Sequence, residues 1–441
     1  MRLAPSPSPS PRWGEEKGEG TKKEDRLKKA VIVSAVRTPI GRYMGMLKDI
    51  PAYDLGALVL NEVVRRAGLN PDQVDEVILG QSYQNGEYVN IARMSLLKAG
   101  WPESIPGITL DRRCCTGLDV ICSAAMTVQS GQAEVVAAGG VESMSSSEFY
   151  LPGEVKWGIG GKKGMPKGHG DLNLWGIPLY DRIQRARVMS QPEERYGILP
   201  TMMSWAENAA REEKISREDC DRWALESHRK ACEAMESGRF KEEMAAVPVP
   251  QEKKGVMFAD RDETPRPDTT FEQLSRLQPV LGGVCTAGNS SSENDGAAAC
   301  LVMTEEKAEA LGLKPLASIR EFAVAGVDPR YTYKAVDLAV KKVLDKAGLK
   351  IDQIDLIEIQ EAFAAQVLAD LKMLGLKEKD YHRINVNGSG ISLGHPIACT
   401  GTRALVTLLH EMKRRGSRFG IESICGGGGL GIAAIFERQQ K

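Results

Sequence analysis

Apolar residues along the chain fall first into a strand-like run, then into helical spacing, then into a strand again. AVIVSAVRTPIG, from Ala30, reads as a buried strand ending in a turn. DLGALVLNEVVRRAGL, from Asp54, has helical periodicity and halts near Gly68, and VDEVILG reads as the next strand. Strand, helix and strand at this spacing predict a parallel α/β unit, with ordered structure starting near Lys29.

The unit recurs. Residues 67–78 read AGLNPDQVDEVI and residues 347–358 read AGLKIDQIDLIE, identical at half of their positions. Each follows an amphipathic helix opening with Asp-Leu, at Asp54 and Asp337. A second echo pairs GAAACLVMTEE, from Gly296, with GIAAIFERQ, from Gly431. Two matches in one order predict a duplicated chain with a pseudo-two-fold fold.

The stretch between the copies has another texture. Residues 149–196, rich in Gly, Lys, Trp and Pro, read as a covering loop. Two helices follow, SWAENAAREEK and SREDCDRWALESHRKACEAMESG, the latter with Ser216 as N-cap and acids in its first turn. An irregular charged connection is expected over 250–280. The resulting division is a disordered tail over 1–28, a first half over 29–307 with an inserted loop domain at 149–275, and a second half over 315–441.

Composition narrows the class. At 441 residues the chain is too long for one simple core, and 45 glycines with 5% aromatics fit an Ala/Gly-rich α/β enzyme. A net charge of −1 gives no global field for nucleic acid or an anionic membrane. No apolar run nears the ~20 residues of a membrane span. The first 28 residues lack a signal-peptide centre, and Glu15, Glu16 and Glu19 argue against a mitochondrial presequence; the tail reads as an over-extended start. Nine scattered cysteines without CxxC spacing predict reduced thiols in a cytoplasm and no metal site.

Three segments carry candidate chemistry. In LDRRCCTGLDVICSAAMTVQS, Cys114 stands just before a helix expected from Thr116 to Ser130. Amide donors, the helix dipole, Arg112 and Arg113 would favour its thiolate, although a cysteine taken alone is more often buried and inert, as Cys122 is expected to be. In NVNGSGISLGHPIACTGTRALVTLLHEM, His395 lies between Gly394 and Pro396, where glycine-rich backbone admits close approach of a substrate. His228, inside a helix, and His410, near a helix end, are assigned surface roles. In SICGGGGLGIAAIFE, Cys425 ends a strand and the glycines expose amides, as an oxyanion site or a mere turn would. No Lys-Ser/Thr follows, as a phosphate loop would require.

Together with AVRTPIGRYMG, GGVESMS (from Gly139), TAGNSSSENDGAAA (from Thr286), QEAFAAQ (from Gln360), GHP (from Gly394) and CGGGGLG (from Cys425), the chain resembles the thiolase family over about residues 29–440. The resemblance implies two βαβαβαββ halves in α/β/α/β/α layers. It implies Cys114 as nucleophile toward an acyl thioester, His395 as base and oxyanion donor, and Cys425 as acid/base at the second substrate's α-carbon. The Cys114 and Gly427 amides would form an oxyanion hole, and Gln360, where the family usually has Asn, would hold a water. Coenzyme A would enter as substrate, with no permanently bound cofactor, against Met202, Arg266, Ala287 and Ser291. Assembly as a homodimer or homotetramer is implied likewise, and short or branched acyl groups are expected. Ser389–Gly390 for the more usual Gly–Ala, Ala398 for glycine, and Cys115 for a smaller residue depart from the pattern. Competing readings are an acyl-CoA-binding subunit that needs a partner and a decarboxylating condensing enzyme.

Overall fold

A computed structural model describes residues 28–153, 155, 178–251 and 255–439. Nearly all of the expected N-terminal tail and the middle of the expected covering loop lie outside the described residues.

The first half runs β1 (Ala30–Arg37), α1 (Ala52–Ala67), β2 (Glu76–Gly80), α2 (Ile91–Lys98), β3 (Gly107–Leu110), α3 (Thr116–Gln129) and β4 (Val135–Ser143). Helices α4 (Met203–Glu213) and α5 (Arg217–Glu236) intervene before β5 (Asn294–Thr304) closes the half. The second half runs β6 (Ala317–Gly326), α6 (Lys334–Ala347), β7 (Leu356–Ile359), α7 (Ala364–Met373), α8 (Thr400–Arg415), β8 (Phe419–Gly426) and β9 (Leu430–Glu437). The counterpart of β3 shrinks to one parallel bridge between Ile357 and Ile384.

The repeat is visible at atomic detail. Gly68 and Gly348 end α1 and α6 in left-handed conformation, at φ 69° and 66°. A short 3₁₀ turn follows each, where the side chains of Gln73 and Gln353 accept the N–H groups of Asn70 and Lys350 at 2.9 and 2.8 Å. Asp75 then accepts the amides of Glu134 and Val135, as Asp355 accepts those of Arg418 and Phe419. The shared AGL..DQ.D letters encode one cap, one turn and one strand entry.

Strands are ordered β7-β8-β9-β6-β1-β5-β4-β2-β3. The halves meet through only two residue pairs, Val31 with Ser318 and Ile32 with Ala317. The sheet therefore folds into two layers around a shared centre. Helices α3 and α8 fill that centre and touch strands of both halves, whereas α1 and α2 cover the first half outside and α6 covers the second, with α7 beside it. Three apolar clusters occupy the spaces between layers. Being sandwiched explains why α3 is apolar on nearly every face.

The central helices touch backbone to backbone at their starts. A Cβ on Gly117 would stand 2.6 Å from the Ala398 carbonyl oxygen and 2.7 Å from the Gly401 nitrogen; one on Gly401 would strike the Leu118 nitrogen. Thr402 ties the pair by donating to the Gly117 carbonyl at 2.7 Å. In the insertion, the Ser216 cap forms as expected, and α5 is fixed by Trp223 and Ser227 donating to Glu361 at 3.0 and 2.6 Å. The connection expected to be irregular contains a hairpin, Val247–Gln251 with Gly255–Ala259, and the helix Phe271–Ser275. Alternating Val and Pro at 247–250 accounts for the hairpin, since the prolines point outward on an edge.

Gly401→Ala is expected to destabilise the fold by about 3 kcal/mol, because the added methyl meets main chain that cannot rotate away. Chemical denaturation measures this, and an unchanged midpoint would contradict the packing described.

Candidate active site

One cavity of about 520 Å³ lies against the N-terminal start of α4 and reaches the segments that precede α3 and α8. Its lining includes Cys114, His395, Cys425 and Gly427, and also Met202, Arg266, Ala287 and Ser291. Cys114 thus shares one chamber with His395 and Cys425, both from the other half of the chain. Gln360 does not line it. Its carboxamide is buried, makes no hydrogen bond, and packs where a Cβ on Gly390 would otherwise sit.

Cys114 immediately precedes the α3 cap position, Cys115. The Gly427 amide and its own amide point at its sulfur, and Arg113 lies near enough to favour the anion. Burial outweighs all three, and the thiol is pushed up from its ordinary value. This corrects the expectation of a resting thiolate: dipole and arginine are present, but desolvation at the cavity floor is larger. Cys115 is turned away, donating to the Ile424 carbonyl at 3.5 Å. Burial raises Cys425 further, with the neighbouring Cys114 adding to it, so Cys425 is a neutral thiol.

His395 is held by its neighbours in one orientation. Its Nδ1 lies 2.7 Å from the Thr400 hydroxyl oxygen, and that hydroxyl donates to the Pro396 carbonyl at 3.0 Å. With the hydroxyl hydrogen on the Pro396 carbonyl, Nδ1 carries the proton and Nε2 is bare. Nε2 is buried without a protein partner. Burial, with Arg403 and Arg187 adding repulsion, holds the imidazole neutral at a pKa of about 3. Gly394, at φ 88°, fits because a Cβ there would run into Asn294. Asn294 in turn accepts the His395 amide at 2.8 Å and donates to Gly41 at 2.9 Å.

Glu142, fully buried, fastens the other wall. Its carboxylate accepts the amides of Ser82, Tyr83 and Ala398 at 3.1, 3.1 and 3.0 Å, with burial raising its pKa to about 7. Thr400, Asn294 and Glu142 are the positioning residues that the sequence reading missed. All three lay inside quoted segments, GGVESMS, TAGNSSSENDG and GHPIACTG, but nothing in their spacing told which atom each would hold.

His228 is corrected. It is buried, not at the surface, and its Nδ1 accepts the Arg266 amide at 3.3 Å, with burial pushing its pKa down to about 4. His410 is half-buried, its Nε2 3.3 Å from the Ala35 oxygen. Among the described residues no group of three or more His, Cys, Asp or Glu is gathered as a metal site, and no helix is long and apolar enough to cross a membrane.

Residues 30–306 match the family model for the thiolase N-terminal domain and residues 313–438 that for the thiolase C-terminal domain. The chain is 40% identical over 415 residues to an acetyl-CoA acetyltransferase of Syntrophomonas wolfei, covering 93% of this chain and 99% of the relative. It is 42% identical over 412 residues to a β-ketoadipyl-CoA thiolase of Pseudomonas aeruginosa, covering 92% and 98%. The crystal structure of the Bacillus anthracis acetyl-CoA acetyltransferase superposes with a TM-score of 0.84 at 41% identity, covering 94% of this chain and all of that one.

Because burial raises the Cys114 pKa, its thiolate is scarce near neutrality in the unliganded protein. The rate of its alkylation by iodoacetamide, followed by peptide mass spectrometry, is expected to keep rising through pH 9, the ordinary thiol value. A plateau already reached near pH 7 would count against this.

Proposed function

We propose a division of labour among named residues for a chain that belongs to the thiolase family. Its reaction class is acyl transfer between coenzyme A thioesters, thiolysis of a 3-oxoacyl-CoA or the reverse Claisen condensation, and the chain is an acyltransferase enzyme. Within that class, Cys114 is the nucleophile. One observation carries the assignment: Cys114 alone of the adjacent pair lines the chamber shared with His395 and Cys425, with the Gly427 amide aimed at its sulfur.

A neutral imidazole with a bare Nε2 suits removal of the Cys114 proton as substrate arrives. Once charged, it can donate to a thioester oxygen. The amides of Cys114 and Gly427 suit the oxyanion of the tetrahedral intermediate. Cys425, held neutral, suits protonation of the enolate at the α-carbon and, in reverse, its generation. Gln360 stands outside the cavity lining, so the water-holding role that the family likeness implies for it is supported by its two unpartnered buried amide atoms and not by its place.

Coenzyme A is substrate and product. Met202, Arg266, Ala287 and Ser291 are its proposed contacts, on the strength of their place in the cavity lining. We assign the protein to the cytoplasm and to fatty acid metabolism; nine free thiols fit a reducing compartment. Assembly as a homo-oligomer belongs to the same reading, supported by the edge strand β3 with Ile108 exposed and Met94 and Leu97 exposed on α2 beside it.

The purified chain alone is expected to cleave acetoacetyl-CoA with coenzyme A. Brief incubation with acetyl-CoA should leave an acetyl adduct on Cys114, absent in Cys114→Ser and retained in Cys115→Ser; an adduct mapping to Cys115 or Cys425 would refute the assignment. Thr400→Val, which removes the acceptor fixing the His395 tautomer, should lower kcat by ~10-fold or more with little change in KM. Thr400→Ser should restore it, and equal loss in both variants would deny Thr400 that role.

A further inference from the structure

The wall beside Cys114 holds a cation that makes no ion pair among the described residues. Arg112 and Arg113 both precede the nucleophile, but Arg112 pairs with Asp119 at 2.9 Å. Arg113 lines the cavity, is half-buried, and makes no ion pair among the described residues. The other arginine lining that region, Arg187, is neutralised by Glu293 at 2.7 Å.

The backbone at Arg113 sharpens the point. Its φ of 54° is left-handed, a conformation that glycine or asparagine adopts with less strain. Three hydrogen bonds impose it. The Arg113 N–H donates to the Asp111 carboxylate at 2.7 Å, and its carbonyl accepts from the Thr116 amide at 2.9 Å and the Ser82 hydroxyl at 3.1 Å. The chain thus keeps a long cationic side chain where its own geometry favours a small neutral one. Strained residues of this kind gather at functional sites.

The phosphates of coenzyme A lie at the far end of the pantetheine arm from the sulfur that meets Cys114. The Arg113 charge favours the anion at the Cys114 sulfur, which sets the guanidinium at the thioester end of the cavity rather than the phosphate end. Ser82 and Tyr83 add hydroxyl groups to the same wall, beside the apolar Met144 and Ile397.

We propose that Arg113 binds a carboxylate at the far end of the acyl chain, so that the preferred substrates are short 3-oxoacyl-CoA thioesters ending in a carboxylate. This rests on Cys114 being the nucleophile. The Cys114 sulfur attacks the 3-keto carbon as His395 takes its proton. The C2–C3 bond breaks, its electron pair passes to C2, and Cys425 protonates the resulting enolate to give acetyl-CoA. The carboxyacyl group stays on Cys114, its carboxylate on Arg113, until the thiol of coenzyme A displaces it. Bidentate geometry suits a guanidinium to that anion.

The test compares kcat/KM for 3-oxoadipyl-CoA with that for 3-oxohexanoyl-CoA, which carries methyl in place of the carboxylate. The wild type is expected to favour the acid by ~10-fold or more, as a charge-assisted hydrogen bond allows. Arg113→Met should cut that ratio by ~10- to 100-fold and Arg113→Lys should recover part of it. A wild-type ratio of one or below overturns the proposal. So does a proportionate loss of both substrates in Arg113→Met, which would mean that the charge serves only the thiol. Calorimetric binding of glutaryl-CoA against valeryl-CoA to the Cys114→Ala protein supplies a readout free of chemistry. Preference for glutaryl-CoA that vanishes with Arg113→Met upholds the role of Arg113 even should turnover fail, and turnover failure then falls on the Cys114 assignment instead. Equal binding of the two overturns it.

Discussion

The whole arrangement depends on two glycines allowing the central helices to meet without side chains between them. Gly117 and Gly401 are the second residues of α3 and α8, and neither tolerates a Cβ against the other's backbone. Close packing of protein interiors leaves no slack to absorb such a group. Because the helix starts touch, Cys114 before one helix and His395 before the other open onto the same space. Thr402, donating across the contact to Gly117, fixes the helices' register as well as their distance. The layers outside serve this contact by holding both helices under sheets from either side.

Burial then governs the chemistry in that space. It raises the thiols of Cys114 and Cys425 and lowers the imidazole of His395, so all three are uncharged at rest. Charge must appear together with a substrate that can share it. The Gly427 amide, the Cys114 amide and Arg113 each favour negative charge on the Cys114 sulfur. This is preorganisation of dipoles around a neutral ground state. The neutral imidazole also owes its tautomer to a single hydroxyl, and a proton placed on Nδ1 leaves Nε2 as the acceptor.

The insertion is joined to the second half by apolar packing, Trp205 meeting Phe363 edge-on, and to both halves by buried polar ties. Glu361 gathers Trp223 and Ser227 from α5, and also Asn385, into one buried knot beside Gln360. Arg37, between Glu243 and Asp262 at 2.6 and 2.7 Å, makes a second such tie. Buried ion pairs of this type fix geometry more dependably than they add stability.

Much of this was readable from the letters alone. The duplicated AGL..DQ.D segment, the helical and strand periods, the Ser216 cap and the glycine-bracketed His395 are local features, set by backbone preference and side-chain spacing. Local signals of this kind survive without knowledge of neighbours. The joint presence of Cys114, His395 and Cys425 pointed to one chamber through the family likeness. What tertiary structure alone decided were quantities that depend on neighbours distant in sequence. The pKa direction of Cys114 reversed because desolvation depends on every layer above it. His228 moved from surface to interior because α5 packs against the Arg266 loop. Cys115 was separated from Cys114 by a half-turn that aims it at the β8 backbone. Sequence gives each side chain its chemistry and local conformation; the electrostatic environment comes from residues far along the chain, and only folding brings them close.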